Sequence, residues 1–183
     1  MFSFHRGSLA LDFVGTLGPR ASAQPLERLP DAKAFELWLR EAGLLDASHR
    51  AGLRAEDVSR AIEVREAIAR VGNTLVDAGS PRANDIATIN TAATGMALGV
   101  PFLNSDLSEG WKSSDPLGFA LGRIASDAIT IFGPERSRLS RCQGTCGTLV
   151  LSRARNEPRR WCSMEACGNR AKVAAHRARK GAT

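Results

Sequence analysis

Four cysteines carry the most legible chemistry in the sequence. Cys142, Cys146, Cys162 and Cys167 are its complete cysteine set, in two close pairs, C-x3-C and C-x4-C, with fifteen residues between the pairs. Spacing of this kind lets a single chain bring four sulfurs to one centre. One Zn2+ held by four thiolates fills every coordination position, so the expected role is structural and leaves no open site for a reacting water. The neighbouring residues suit that geometry. Gly144 and Gly147 flank Cys146, as a tight knuckle requires. The run from Thr148 to Leu151 is β-prone, residues 156–158 read as a turn, and Arg159, Arg160 and Trp161 read as a returning strand. Ser163 is placed to cap a helix from Met164, with Cys167 in its first turn, where unpaired N–H groups favour a thiolate. Knuckle, hairpin and helix in this order look treble-clef-like. Two disulfides and an iron–sulfur cluster are competing uses of four cysteines. The sequence opens without an export signal, the usual context for disulfides, and the spacing departs from ferredoxin patterns.

The charge is divided unevenly around this cluster. Residues 136–180 contain twelve Lys and Arg against Glu157 and Glu165, a net +10, whereas the rest of the chain carries −4. A basic module on an acidic body points to a polyanionic partner, DNA foremost. The candidate nucleic-acid contacts are Arg153, Arg155, Arg159 and Arg160 on the hairpin, and Arg170, Lys172, Arg177, Arg179 and Lys180 on the last helix. Ala171, Ala174, Ala175 and Ala178 keep that helix slim enough for a major groove. Arg141, Arg159, Arg160 and Arg170 also lie beside the ligands. There they could offset the formal −2 of a tetrathiolate zinc, so sulfur neutralisation and partner contact compete for them. Asn169 suits an adenine edge, but its place beside a ligand favours support of the knuckle backbone. One finger makes a small DNA interface, which makes a homodimer attractive.

Other function classes fare less well. The alternative reading is a protein-interaction module with no direct nucleic-acid binding. RNA readout by stacking has little to use, because the chain has no Tyr and Trp161 is the sole aromatic of the basic module. His5, His49 and His176 are scattered and join no nucleophile–base pattern, so no enzyme is expected. No stretch is long and apolar enough for a membrane, and a cytoplasmic protein is the default expectation.

The elements that must position the module are helical. Leu9, Phe13 and Leu17 recur at helical spacing with Ala10 and Val14 beside them, although Leu9, Leu11 and Phe13 also alternate as in a strand. Residues 18–30 read as a loop. Asp31 caps a helix that buries Phe35, Trp38 and Leu39 and ends at Gly43. A longer helix covers 56–78. Ser80-Pro81 opens another, with Ile86, Ile89 and Ala93 inward. Residues 100–114 suggest a small β-hairpin, and Asp115-Pro116 starts a last body helix that ends at Gly133-Pro134. The expected fold is therefore mainly α: a helical domain over 1–134 with one hairpin, and a basic finger over 135–183. Within the body, Asp12, Thr16 and Arg65 are polar residues in apolar surroundings. An Asp12–Arg65 pair could line a pocket for an anionic or polar ligand, join two helices, or simply face solvent.

The segment RRWCSMEACGNRAK over 159–172, with Cys-Gly-Asn-Arg at Cys167 to Arg170, resembles the CGNR zinc finger. The opening LALDFVGTL over 9–17 resembles the start of the ABATE domain that usually precedes that finger, and Val64–Ala67 and Asp115–Leu117 fit it. The resemblance implies a bacterial, stress-induced transcription regulator whose finger binds DNA. The leading expectation is a DNA-binding regulator whose helical body senses a ligand or partner. The family's first cysteine pair is usually x4 rather than x3. It often has an aromatic and an acidic residue where this chain has Val150 and Ser152, and Asn where it has Gly15.

Overall fold

A computed structural model describes residues 2–45, 52–153 and 158–180. His49, Arg155 and most of the turn expected at 156–158 lie outside the described residues.

Among the described residues, the body is built around five α-helices. Helix α1 (Leu9–Val14) is short and almost wholly buried, so its free N–H groups need partners from protein. Ser8 Oγ accepts from Leu11 N–H, and Asp127 of a distant helix accepts from Ala10 N–H at 2.8 Å. The helical reading of this segment holds, but it stops before Leu17. Leu17–Gly18 (β1) instead pairs antiparallel with Leu26–Glu27 (β2), inside the stretch read as a loop. Helix α2 (Ala32–Glu41) starts at the Asp31 cap and turns off at Gly43 with φ +68°. Its Trp38 packs on Phe13 with ring centroids 4.9 Å apart. Helix α3 (Ala55–Val76) is the central strut, and α4 (Ala83–Ala93) lies against it, tied by an Arg70–Asp85 ion pair. Ser80 is not its cap: the helix begins two residues later than the Ser-Pro signal suggests. Ile86 is 43% exposed, so Ile89 and Ala92 carry the inward face. The hairpin forms as expected from β3 (Gly99–Leu103) and β4 (Glu109–Ser113). Helix α5 (Pro116–Phe132) begins at the Asp115 cap, ends at Gly133, and runs through the core.

The C-terminal module is not a separate bead. Strand β5 (Leu139–Arg141) pairs antiparallel with β6 (Leu149–Leu151), so the knuckle is the connection between these two strands. This corrects the expected hairpin: residues 159–161 form no strand and contribute one backbone bond, Gln143 N–H to the Arg160 carbonyl. Side chains alternate along β6. Leu149 and Leu151 enter the body core beside α3, whereas Val150 turns to the cysteines. A Cβ on Gly72 of α3 would collide with Leu149, so the helix accepts the strand because that position is bare. Arg141 then clamps β5 to α3 through Asp77 and Asn73 at 2.9–3.0 Å.

One buried cation knits the lower body together. Arg65, 1% exposed, donates to both Glu27 oxygens, to Glu66 and to the Thr16 hydroxyl. Glu66 in turn receives both terminal nitrogens of Arg20. Burial pushes both carboxyls up, but Arg65 on Glu27, and Arg20 with Arg65 on Glu66, outweigh it and hold both below the ordinary glutamate value. The network thus stabilises the fold above the ordinary value of 4.5, and this contribution is lost as pH falls through the depressed values. Arg65→Met should cost about 3–5 kcal/mol in urea unfolding at neutral pH, because Glu27 keeps a charge without its partner. The penalty should shrink in acid, where a protonated Glu27 needs none; an equal loss at both pH values would assign the effect to packing instead.

Candidate metal centre

The knuckle and the turn after Trp161 bring the four cysteines together. Their sulfurs all lie within 4.8 Å of one another. Cys146 and Cys162 are 3.7 Å apart, and Cys162 and Cys167 are 3.5 Å apart. A tetrahedron with metal–sulfur bonds of about 2.3 Å has edges of about 3.8 Å, so the cluster has the size of a zinc site. None of the four forms a disulfide.

Each ligand has a local cause. Gly147, at φ +66°, lets the chain reverse immediately after Cys146. Gly144 N–H at 3.4 Å and Cys162 N–H at 3.2 Å both donate to Cys142 Sγ. Ser163 accepts from Ala166 N–H as the expected cap. The cap leads into a single wide π turn, Met164–Gly168, ahead of α6 (Asn169–Lys180), and Cys167 sits in that turn. Asn169 donates to the Glu165 carbonyl at 3.2 Å, which brackets the same turn and favours its supporting role.

The electrostatics fit a bound dication. Burial pushes the Cys146 thiol up, but the Thr148 hydroxyl and backbone N–H outweigh it and bring it down to about 7. Burial, the Cys167 thiol and the charges of Cys146 and Cys142 push Cys162 strongly up, and burial also raises Cys142. Four such sulfurs ionise together only with a cation among them. Among the four arginines beside the ligands, Arg170 meets a sulfur, with Nη2 at 3.3 Å from Cys167 Sγ. Arg159 instead donates to the carbonyls of Trp161 and Cys162 and fixes the ligand loop. Arg160 bonds Gln143 and lies over Trp161, and Arg141 holds the α3 clamp.

The remaining candidate residues separate into two groups. Arg153 donates to the Gly7 carbonyl at 2.8 Å and so ties the finger to the body. Arg155 lies outside the described residues. Arg153, Arg160, Arg170, Lys172, Arg177, Arg179 and Lys180 are exposed, and Arg159 is half-buried. In the body, Asp12 and Arg65 do not pair: Asp12 accepts from Arg6, through its backbone N–H at 2.9 Å and its guanidinium at 3.5 Å. Asp12 and Thr16 line a cavity of about 100 Å³ with Arg6, Gly15, Arg28 and Trp38, whereas Arg65 is committed to its glutamates. Sequence reading missed Arg6, Glu27 and Glu66: Glu27 lies 38 residues from Arg65 and Arg20 lies 46 from Glu66, and Arg6, six residues from Asp12, falls outside the helix that carries Asp12.

Metal analysis should give one zinc per chain. Because Leu149 and Leu151 belong to the body core, Cys146→Ala or chelation should lower the melting temperature of the whole chain. A calorimetric scan with the body transition unmoved would contradict this coupling.

Comparison with known proteins agrees with this geometry. No curated protein matches the chain. The CGNR zinc finger model matches residues 138–180, the stretch that holds all four cysteines. The ABATE model, described as "Putative stress-induced transcription regulator", matches residues 7–134. The chain therefore belongs to the ABATE family and carries a CGNR zinc finger at its C-terminal end.

Proposed function

We propose that this protein is a DNA-binding transcription regulator, with the finger as the DNA contact and the helical body as the sensor of a small ligand or partner. The observation that carries the reading is the charge distribution on α6. At 100° per residue, Arg170 and Arg177 fall on one stripe of the helix, and Lys172 and Arg179 fall on a stripe roughly opposite. A helix of twelve residues, about 18 Å long, with cations on both flanks suits a groove walled by phosphates on either side. The metal turn fixes where this helix starts, and Arg160 adds a further exposed cation from the ligand loop. Contacts of this type supply affinity and salt dependence more than sequence reading. No nucleophile–base pair enters this reading, which assigns the protein no catalytic role.

The protein-partner reading draws on a different feature, the exposed apolar side chains of Met164 and Val173 on the same module. Fluorescence anisotropy with zinc-loaded full-length protein and a random duplex pool separates the two. Affinity should fall steeply with salt. The double variant Arg177→Ala/Arg179→Ala should make the slope of log affinity against log salt shallower by about two. Absence of binding at the lowest salt would overturn the DNA reading in favour of a protein partner.

A further inference from the structure

The four ligand sulfurs differ in their surroundings, and the difference singles out one of them. Cys142 Sγ accepts from the N–H groups of Gly144 and Cys162, at 3.4 and 3.2 Å. Cys146 Sγ accepts from the Thr148 hydroxyl and N–H. Cys167 Sγ accepts from Arg170 Nη2 at 3.3 Å. Among the described residues, Cys162 Sγ meets only other sulfurs, Cys146 at 3.7 Å and Cys167 at 3.5 Å. The nearby Arg159 guanidinium bonds the Cys162 carbonyl and not its sulfur.

Cover differs in the same sense. Cys142, Cys146 and Cys167 are 2–6% exposed, whereas Cys162 is half-buried. A Cβ on Gly144 would lie 3.0 Å from Cys167 Sγ and 3.6 Å from Cys142 Sγ, so the knuckle backbone lies close over those two sulfurs. A hydrogen bond draws off the lone-pair density with which a thiolate attacks. The sulfur that carries none, on the least buried ligand, is therefore the nucleophile of the set.

We propose that Cys162 is the reactive thiolate of the zinc centre, a modification site for hydrogen peroxide, with Cys167 as its disulfide partner. The Cys162 sulfur attacks one peroxide oxygen; an S–O bond forms, the O–O bond breaks, and hydroxide leaves. The Cys167 thiolate then attacks the sulfenic sulfur of Cys162; an S–S bond forms, the S–O bond breaks, and a second hydroxide leaves. The two sulfurs lose two electrons, which the peroxide oxygens gain. Cys167 is the nearer of the two sulfurs that Cys162 meets, and its turn belongs to the same short segment. Oxidation leaves two donors of four, too few to keep the ion. Val150 packs on the cluster while its strand neighbours Leu149 and Leu151 fill the body core, so loss of the ion reaches the body. The proposal rests on the zinc site and is independent of DNA binding.

The test uses zinc-loaded full-length protein whose zinc content is measured first, so a failure of the zinc site is seen separately. Iodoacetamide below one equivalent, with the labelled residue located by tandem mass spectrometry, should mark Cys162 about tenfold or more over each other cysteine, the preference expected when the others carry hydrogen bonds to a charged sulfur. Hydrogen peroxide should release zinc to a chromogenic chelator and leave a Cys162–Cys167 disulfide, and a thiol reductant should restore zinc binding. Cys162→His keeps a zinc donor without the reactive sulfur, so release should slow about tenfold or more. Cys146→His, the matched control, should release zinc at about the rate of the unchanged chain. Labelling spread evenly, or first at another cysteine, would overturn the proposal. So would a peroxide-formed disulfide that omits Cys162, or undiminished release from Cys162→His. A Cys146–Cys162 disulfide would keep the reactive residue and overturn the choice of partner. If Cys162→His does not hold zinc, the labelling order in the unchanged chain decides alone.

Discussion

Four sulfurs crowded within 4.8 Å cannot all be charged unless a cation neutralises them, and the finger's architecture depends on that constraint. The Thr148 hydroxyl eases Cys146 toward the thiolate, while Cys162 resists ionisation as long as its neighbours are sulfurs alone. A wide π turn places Cys167 at the cluster and leads directly into α6. Arg170 stands between the two roles: its guanidinium reaches a ligand sulfur, and it also begins the basic helix. The metal is thus what gives a run of cations a fixed direction.

The second organising feature is the strand of three residues between the two cores. One side of β6 belongs to the helical body and the other to the sulfurs, so neither is complete without it. Of the basic residues near it, Arg141 is paired with Asp77, whereas Arg153 bonds the Gly7 carbonyl and stays exposed. The +10 of the C-terminal region therefore overstates the cationic surface available to a partner. What remains concentrated is the charge of α6.

The sequence was most readable where local chemistry decides the outcome. The cysteine spacing, the Asp31, Asp115 and Ser163 caps and the hairpin at 99–113 each depend on residues a few positions apart. Pairing outside the regular elements was the opaque part. Nothing near Asp12 in sequence marks Arg65 as the wrong partner and Arg6 as the right one, because both choices satisfy the same charge rule. Likewise, residues 159–161 look like a strand, but the knuckle already pairs its two flanks with each other, and the returning segment is left with a single ladder-like bond. Ile86 fits the helical period and is nevertheless exposed, since the α3–α4 packing rotates that helix to present Ile89 and Ala92.

The bond between Leu151 and Arg6 joins positions 145 residues apart, and Arg153 repeats the link across 146 residues. A ribosome delivers Arg6 long before Leu151. The helices between them can collapse during synthesis, but the opening segment has no backbone partner on β6 until that strand emerges. Final ordering of the first residues therefore waits on translation of the finger, and a chain cut short before Leu149 would release a body with both its β6 core side chains and its N-terminal tether missing.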